Sequence, residues 1–336
     1  MKAWLLDALT GIQNLRLADV PNPVPNSGEA VLEVHYAALN PADRYLAERQ
    51  YPAKPALPHI LGRDGLGTVI RVGDGAGRLR PGDRRIILRS DIGSDRSGTF
   101  AERVVVPAES LVEVPDGWSE IEAAGAGLVC LTAYQALTMW GPLPESPVVL
   151  VTGASGGVGA AAVQLASAMG HTVVALSRSA AKSERLRELG AAATFNPAEP
   201  RWRQALKTAI APRRVALAID NVGGALLPEV IATLGDLGKA SLVGRLAGPV
   251  PNFNTASLFF RRIRLGGVAV GAYSSSEAVA AWREVVRLLS LAAARPQVDS
   301  VWPFDQLPRA FEHLAQGPMG KVVLQVKEGA TSSPAR

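Results

Sequence analysis

Hydrophobic and polar positions form two different patterns along the chain. In the first third, short runs rich in β-branched residues are separated by Gly and Pro, which is typical of strands joined by turns. These runs predict strands over residues 30–36, 67–72, 85–88 and 99–106. The first third is therefore predicted to form a small, mostly β domain.

From residue 148 onward, apolar runs alternate with helical patterns. The predicted strands cover 148–152, 172–176, 215–220, 239–244 and 265–271, and the predicted helices cover 157–169, 182–189 and 226–234. Alternation of this kind is typical of a parallel sheet with helices on both faces. The sequence thus predicts an α/β domain of the doubly wound type.

Helical patterns also flank this domain. Ser119 and Glu122 have the spacing of a capping box, and a helical pattern follows over 123–137. The tail is predicted to contain helices over 276–294 and 307–315, a short link at 301–304, a strand over 321–326 and a disordered end at 331–336.

A glycine-rich turn follows the first strand of the predicted α/β domain. Its sequence is Gly153-Ala154-Ser155-Gly156-Gly157-Val158-Gly159, and it leads into an alanine-rich helical segment. Glycine lets a ligand approach the backbone because it has no Cβ, and a helix start offers unpaired N–H groups and a positive dipole end. Ser155, Gly156, Gly157 and Val158 are therefore predicted to bind the phosphates of a dinucleotide. Such glycine runs also occur in ordinary turns, so the neighbouring segments are needed to distinguish a dinucleotide site from a turn.

The residues that follow the second predicted strand indicate whether the cofactor is NAD or NADP(H). An acid at this position binds the ribose hydroxyls of NAD, but here the strand ends in Ser177-Arg178-Ser179, with Lys182 one turn further on. The serine leaves room, and the two cations suit the 2′-phosphate of NADP(H). The alternative is that Ser179 caps a helix and that Arg178 and Lys182 belong to an ordinary surface.

The fourth and fifth predicted strands end at the same edge of the sheet. Asn221 and Val222 follow the fourth strand, and Gly244 and Arg245 follow the fifth. Ligands bind at this carboxyl edge, so we expect Asn221 and Gly244 to flank the nicotinamide ribose and ring. The alternative is a pair of ordinary strand-exit turns, in which Asn and Gly are common.

Composition narrows the class of protein. The 336 residues, 48% of them hydrophobic, are enough for two domains with large cores. Residues 146–177 carry no charge, but the glycine turn would interrupt a spanning helix, so a buried strand-turn-helix-strand unit is predicted instead of a membrane span. The start of the chain does not resemble a secretory signal, and a soluble cytoplasmic protein is expected.

Charge and potential metal ligands exclude further classes. The net charge is +5, but the basic residues are spread along the chain, and the tightest cluster, Arg261-Arg262-Ile263-Arg264, is short. Solvated charges are therefore favoured over a nucleic-acid site. The single cysteine and four histidines are not grouped at metal-ligand spacing, which excludes an internal disulfide and a cysteine-based zinc site.

Several short segments, spread over nearly the whole chain, occur in the order of one known pattern. They are Ala38-Leu39-Asn40-Pro41-Ala42-Asp43, Leu61-Gly62-Arg63-Asp64-Gly65-Leu66-Gly67-Thr68-Val69, Gly98-Thr99-Phe100-Ala101-Glu102, Leu131-Thr132-Ala133-Tyr134-Gln135-Ala136-Leu137, the glycine turn, Asp220-Asn221-Val222-Gly223-Gly224 and Gly320-Lys321-Val322-Val323-Leu324. This pattern resembles the medium-chain dehydrogenase/reductase family, in its zinc-free quinone oxidoreductase and enoyl reductase branch. The resemblance implies a Rossmann-type doubly wound domain, residues 126–271, inserted into a GroES-like mostly β catalytic domain, residues 1–125 and 272–336. It also implies a homodimer that pairs through an edge strand at 265–270.

The resemblance also implies a metal-free reduction. The positions that hold catalytic zinc in alcohol dehydrogenases of this family correspond to Asn40, Arg63 and Leu128, so no metal is expected. The zinc-free branch transfers hydride from NADPH to quinones or to the C=C bond of an α,β-unsaturated carbonyl: an enone, an enal or an enoyl thioester. Arg63 is predicted to form a salt bridge with Asp43 or Asp64, and the alternative is that it binds an anionic group of the substrate.

The predicted catalytic pair is Tyr51 and Asn40. By resemblance, the Tyr51 phenol donates a hydrogen bond or proton to the nascent enolate, and Asn40 orients the substrate carbonyl. Alternatively, Tyr51 packs against Pro52 and Asn40 holds a turn. Thr132 and Lys321 match family positions near the nicotinamide and the pyrophosphate.

Two rival functions remain at this point. One is an NADP-dependent alcohol dehydrogenase, and the other is a non-enzymatic protein that binds NADPH and RNA, as some lens crystallins of this branch do. The pI of about 9.5 is the one observation that favours the second.

Overall fold

The structure is a computed structural model, and it describes residues 1–88, 91–250 and 253–327. The segment 331–336, which is predicted to be disordered, lies outside the described residues. No helix among the described residues has both the length and the apolar character needed to cross a bilayer.

Strands and helices alternate over much of the chain. The strands are β1 (Lys2–Leu6), β2 (Leu15–Asp19), β3 (Glu29–Ala38), β4 (Asp64–Val72), β5 (Arg84–Ile87), β6 (Arg103–Pro107), β7 (Leu111–Glu113), β8 (Val148–Val151), β9 (Thr172–Leu176), β10 (Ala191–Phe195), β11 (Val215–Asp220), β12 (Leu234–Leu242), β13 (Arg264–Gly267), β14 (Val298–Pro303) and β15 (Lys321–Gln325). The α-helices are α1 (Pro41–Ala47), α2 (Glu120–Ala124), α3 (Gly127–Thr138), α4 (Gly157–Ala168), α5 (Ala180–Glu188), α6 (Trp202–Ile210), α7 (Leu226–Thr233), α8 (Ala256–Phe259), α9 (Ser275–Leu291) and α10 (Leu307–Ala315).

The chain divides into two compact units. The first contains Met1–Leu128, Gly271–Trp282 and Pro296–Arg336, and the second contains Val129–Val270 and Arg283–Arg295. The second unit is thus mainly an insertion into the first. It also includes Arg283–Arg295, which the sequence prediction assigned to the catalytic domain. The difference arises because the division crosses α9, a single helix whose two halves belong to different units.

The first unit is built on a seven-stranded sheet. Its order is β14-β15-β3-β4-β5-β7, and β6 pairs with β3. The pairings are antiparallel except that between β14 and β15. A separate antiparallel pair, β1 and β2, was not predicted from the sequence. Phe100 and Phe311 meet edge to face in the core of this unit, with ring centroids 5.9 Å apart.

Capping interactions fix two helix starts in the first unit. Ser119 and Glu122 form the predicted capping box at α2, and Asn40 and Asp43 form another at α1. The predicted helical pattern over 123–137 is two helices, α2 and α3, which are separated at Gly125 and Ala126. Residues 298–303 form the strand β14 where only a link was predicted.

The second unit is a parallel six-stranded sheet with the order β10-β9-β8-β11-β12-β13. Consecutive strands proceed outward from β8 to β10 and then from β11 to β13, so the direction of winding reverses between β8 and β11. The doubly wound class predicted from the sequence is confirmed. Among the described residues, no strand pairs with the outer edge of β13, and the homodimer contact at this edge stays a prediction.

Candidate functional site

Polar residues join the ends of β8 and β11, where the strand order reverses. The Thr152 hydroxyl donates to Asp220 Oδ1 at 2.6 Å and accepts the Asn221 backbone N–H at 3.0 Å. Asp220 also accepts the backbone N–H groups of Val222 and Gly223, at 3.2 and 3.0 Å. These bonds fix both strand ends at the place where doubly wound sheets bind ligands.

The sequence prediction missed Thr152 and Asp220. Both are buried, Thr152 at 0% exposure and Asp220 at 1%. A buried carboxylate must be hydrogen-bonded to be tolerated, and Asp220 uses its oxygens to organise the turn that follows it. The signal that could have identified them is a polar residue at the exit of an otherwise apolar strand.

Asn221 was predicted to face the cofactor, and its amide is held at the same strand end. Its Nδ2 donates to the carbonyl oxygen of Thr152 at 2.8 Å. The residue is 7% exposed, and its Oδ1 has no hydrogen-bond partner among the described residues. A buried acceptor without a donor costs about 1–3 kcal/mol. Asn221 Oδ1 is therefore suited to accept a hydrogen bond from a hydroxyl or amide group of a bound cofactor.

The glycine turn after β8 has an open backbone. Gly153 has a φ of 54°, and a Cβ at Gly159 would lie 2.2 Å from the Gly153 carbonyl oxygen, so glycine is required at both positions. Gly156 caps α4, and a Cβ there would meet only the Gly153 oxygen, at 3.5 Å. A ligand can approach the start of α4, where N–H groups lack partners within the helix. The other predicted residues of this turn are all partly exposed: Ser155, Gly157 and Val158.

The turn after β12 approaches the turn after β11. The Gly244 N–H donates to the Asp220 carbonyl oxygen at 3.2 Å, and a Cβ at Gly244 would lie 2.7 Å from the Asn221 carbonyl oxygen. Only glycine allows this approach. Arg245 is exposed and Val222 is half-buried, and their roles toward a cofactor remain predictions.

No acidic side chain follows β9. The Ser177 hydroxyl donates to the Ser179 carbonyl oxygen at 3.1 Å and accepts the Ser179 N–H at 3.2 Å. Ser179 caps α5 by accepting the Lys182 backbone N–H, as the alternative interpretation of the sequence had it. Arg178 is exposed, and the described residues give it no ion pair, so its guanidinium is available to an anion.

In the first unit, Tyr51 is joined to Arg63. The Arg63 Nη1 donates to the Tyr51 hydroxyl oxygen at 2.9 Å, and the guanidinium carbon lies 4.1 Å from the ring centroid. The predicted salt bridge with Asp43 is long, with Arg63 Nε 3.9 Å from Asp43 Oδ1. Arg63 therefore forms a hydrogen bond with the phenol, whereas its interaction with Asp43 is an ion pair without a hydrogen bond. The sequence did not predict this contact.

Asp43 is buried beside this pair. Its Oδ2 accepts the Asn40 backbone N–H at 2.8 Å, whereas its Oδ1 has no hydrogen-bond partner among the described residues. Burial raises the pKa of Asp43 to about 6, and the positive charge of Arg63 limits the rise.

Asn40, Asp64 and Lys321 form a buried cluster. The Lys321 ammonium donates to Asp64 Oδ2 at 3.0 Å, to Asn40 Oδ1 at 2.7 Å and to the Leu39 carbonyl oxygen at 2.9 Å. Asn40 Nδ2 donates to Asp64 Oδ2 at 2.9 Å and to the Ala38 carbonyl oxygen at 3.3 Å. Asn40 and Lys321 are each 4% exposed.

This cluster places two residues of the predicted site in the interior of the first unit. All three N–H donors of Lys321 are used inside the first unit, and its predicted role near the pyrophosphate stays a prediction. Both amide hydrogens of Asn40 have acceptors in the first unit, and its role toward a substrate carbonyl stays a prediction. Both side chains are buried beside Asp64, a carboxylate whose position in the fold could not be inferred from spacing.

The positions that correspond to zinc ligands do not suit a metal. Leu128 has no ligating atom, Arg63 is a cation, and Asn40 Oδ1 accepts from Lys321. No group of three or more His, Cys, Asp or Glu residues within the described ranges could hold a metal ion. The donor set at these positions does not fit zinc.

A dinucleotide does fit the second unit. The open backbone at Gly156, the unpartnered Oδ1 of Asn221 and the available guanidinium of Arg178 all belong to the carboxyl edge of one sheet. Thr132, which was predicted to lie near the nicotinamide, is a partly exposed residue of α3, and its role remains a prediction.

Known proteins match both units. Residues 26–116 match the alcohol dehydrogenase GroES-like domain, and residues 157–290 match the zinc-binding dehydrogenase model. The human synaptic vesicle membrane protein VAT-1 homolog is 30% identical over 345 residues, covering 96% of this chain and 86% of that protein. Human quinone oxidoreductase is 26% identical over 327 residues, covering 96% of this chain and 97% of that protein. The chain belongs to the medium-chain dehydrogenase/reductase family, in its quinone oxidoreductase branch.

A solved structure extends the comparison to the whole fold of a family member. The mycobacterial protein Rv1454c, in complex with NADPH, is 27% identical and has a TM-score of 0.87, covering 97% of this chain and 100% of that chain. The predicted combination of a GroES-like domain with a Rossmann-type sheet is confirmed.

Proposed function

We propose that this chain is an NADPH-dependent, zinc-independent oxidoreductase that reduces a quinone or the C=C bond of an α,β-unsaturated carbonyl. The observation that carries the proposal is the carboxyl edge of the second unit. There the glycine turn is open to a ligand and Asn221 Oδ1 is buried without a donor. A nicotinamide dinucleotide supplies the hydride when it is bound at such an edge.

The preference for NADPH rests on the residues that follow β9. Ser177 is small and uncharged, Arg178 is exposed, and Lys182 lies in the first turn of α5. A guanidinium can bind a phosphate through two parallel hydrogen bonds, and an ammonium adds a point charge. The NADPH bound to Rv1454c, a relative with the same fold, agrees with this assignment.

The proposed acceptor follows from the residues at the zinc-ligand positions. Oxidising a simple alcohol in this family relies on a metal to stabilise the alkoxide, and Asn40, Arg63 and Leu128 cannot hold one. Hydride addition to a conjugated carbonyl or a quinone instead produces an oxygen anion that needs a proton. Tyr51 is the proposed donor, because its hydroxyl hydrogen has no acceptor among the described residues.

An acceptor screen tests the function. The purified chain is mixed with NADPH and, separately, a quinone, an enone, an enal or an enoyl-CoA, and loss of NADPH absorbance is followed. At least one acceptor class should be reduced, and Tyr51→Phe should lower turnover about 100-fold, because a positioned general acid contributes on that order. The matched control is Tyr45→Phe, a second tyrosine of the first unit outside the proposed site.

Two outcomes would contradict the proposal. Unchanged turnover in Tyr51→Phe would exclude the role of the phenol. If no acceptor is reduced although NADPH binds, a non-enzymatic binding protein becomes the better interpretation.

A further inference from the structure

The hydrogen bond between Arg63 and Tyr51 has a fixed direction. Arg63 Nη1 lies 2.9 Å from the phenol oxygen, and a guanidinium can donate hydrogen bonds but cannot accept them. The phenol oxygen is therefore the acceptor. Its own hydrogen must be donated elsewhere, and no described residue takes it.

We propose that Arg63 is a positioning residue that holds Tyr51 for proton donation and stabilises the phenolate that donation leaves behind. This inference rests on the proposed function. Hydride brings two electrons to the β-carbon of the acceptor, the C=C electron pair moves to form an enolate, and the enolate takes the proton of Tyr51. Water then returns a proton to the phenolate, and Arg63 gives up no proton in the cycle.

The charge of Arg63 is not neutralised by a hydrogen-bonded carboxylate. Its nearest acidic atom, Asp43 Oδ1, is 3.9 Å from Nε, and Nε and Nη2 are buried without hydrogen-bond partners among the described residues. Asp64, the other nearby acid, is paired with Lys321 at 3.0 Å. The Arg63 side chain is only 13% exposed, so solvent screens its charge weakly. The tyrosine oxygen is therefore the group on which this charge acts at shortest range.

Packing fixes the phenol in the same way. The guanidinium carbon lies 4.1 Å from the ring centroid, so the cation covers the ring while one of its N–H groups reaches the hydroxyl. Tyr51 also packs partly against the hydrophobic core of the first unit. The guanidinium and the hydrophobic core hold the ring, and the Arg63 N–H holds the hydroxyl oxygen. The hydroxyl hydrogen is the group left to bind a substrate.

A double-variant cycle tests the inference in the full-length enzyme. Arg63→Gln should lower kcat about 10- to 100-fold, because the acid loses its charged partner. Arg63→Lys keeps the charge and a donor, so it should recover most of that loss. In the Tyr51→Phe background, Arg63→Gln should cause little further loss, because Arg63 acts through the phenol.

Isotope effects and cofactor binding separate this role from a structural one. Arg63→Gln should raise the solvent deuterium isotope effect on kcat, because proton transfer becomes slower, and should leave the Kd of NADPH unchanged. If the fold-losses in kcat of the two single variants multiply in the double variant, the inference is overturned. It is also overturned if the wild type is active and Arg63→Gln has the same kcat. If removal of the cation unfolds the chain by leaving Asp43 unpaired, the Asp43→Asn/Arg63→Gln variant removes both buried charges and is tested in its place.

A second measurement does not depend on turnover. With [13Cζ]tyrosine in the five tyrosines, the Tyr51 resonance is assigned by its absence in Tyr51→Phe. Arg63→Gln should shift this resonance, and Arg63→Lys should keep it near the wild-type position. An unmoved resonance overturns the inference. If the wild type reduces no acceptor, the proposed function and the catalytic role of Arg63 both fail. If the wild type is active but Arg63→Gln leaves kcat and the Tyr51 resonance unchanged, only the role of Arg63 fails.

Discussion

The carboxyl group of Asp43 is buried beside a guanidinium that it does not reach. Its Oδ1 lies 3.9 Å from Arg63 Nε, and among the described residues its carboxylate accepts one hydrogen bond, from the Asn40 N–H to Oδ2, which caps α1. Burial therefore dominates its ionisation and raises the pKa to about 6 from the usual 3.8. The folded chain binds this proton more tightly than the unfolded chain does. The free energy of unfolding consequently falls as pH rises between those two values.

Asp43→Asn should remove that pH dependence. The amide oxygen can still accept the Asn40 N–H, so the helix cap is retained. Relative to the wild type, the variant should gain on the order of 3 kcal/mol of unfolding free energy between pH 4 and pH 7, from a rise in pKa of about two units. Urea unfolding at several pH values measures it.

Asp7 is the control for this prediction, because its pKa is lowered by folding whereas that of Asp43 is raised. The exposed pair with Arg16 lowers the pKa of Asp7 chiefly through the hydrogen bond between them. Any contribution of Asp7 is therefore present above its unfolded pKa and is lost as pH falls, and Asp7→Asn should remove it. A difference between Asp43→Asn and wild type that is constant across the pH range would show that Asp43 is not held neutral by burial.

The residues predicted for the site differ in how many of their hydrogen-bond donors are already used within the fold. The Tyr51 hydroxyl hydrogen has no acceptor among the described residues. Asn40 donates to Asp64 and to the Ala38 carbonyl oxygen, whereas Lys321 donates to Asn40, to Asp64 and to the Leu39 carbonyl oxygen. Sequence spacing cannot reveal this difference, because Lys321 and Asp64 are 257 residues apart. The predicted ion pair of Arg63 with Asp43 is present at 3.9 Å, but the shorter hydrogen bond to Tyr51, at 2.9 Å, was not predicted.

At the scale of elements, strand ends carry the cofactor site. Thr152 after β8 and Asp220 at the end of β11 bond to each other at 2.6 Å, and both then hold Asn221 and the turn behind it. The two strands are neighbours in the sheet although their starts, Val148 and Val215, are 67 positions apart in the chain. Hydrogen bonds between polar residues therefore join the two strand ends at the point where the direction of winding reverses.

Thr152→Val should loosen this edge. The substitution keeps the shape of the side chain but leaves Asp220 Oδ1 and the Asn221 N–H each without one partner. NADPH affinity should fall about tenfold or more, which corresponds to the loss of about 1.4 kcal/mol of binding free energy. Fluorescence titration measures it.

Thr233→Val is the matched control, because the Thr233 hydroxyl donates to the Val230 carbonyl oxygen at the end of α7, away from the carboxyl edge. It should bind NADPH as the wild type does. Wild-type affinity in Thr152→Val would contradict the role assigned to the strand ends.

The elements themselves were predictable where apolar runs were long. β9 and β11 have the predicted bounds, as does α10. The strands β1, β2 and β10 were missed, and β10 is rich in alanine, which favours strands weakly. α6 was also missed, although its buried Trp202, Leu206 and Ile210 recur every four residues and give a helical signal.

At the scale of the whole molecule, the two units carry different parts of the proposed chemistry. The first contains the Arg63–Tyr51 pair, and the second contains the carboxyl edge with its open glycine turn. The family and the class of fold could be predicted because motifs from both units occur in the family's order. The acceptor could not, because its identity depends on surfaces that no motif describes.

The second unit is expected to bind NADPH in preference to NADH. Fluorescence titration of the wild type and of Ser177→Asp with each cofactor tests it directly. An aspartate at this position can still accept the Ser179 N–H, and it would repel a 2′-phosphate and accept ribose hydroxyls. The wild type should bind NADPH about tenfold more tightly or better, and Ser177→Asp should reverse the order. Equal affinity of the wild type for NADH and NADPH would contradict this expectation.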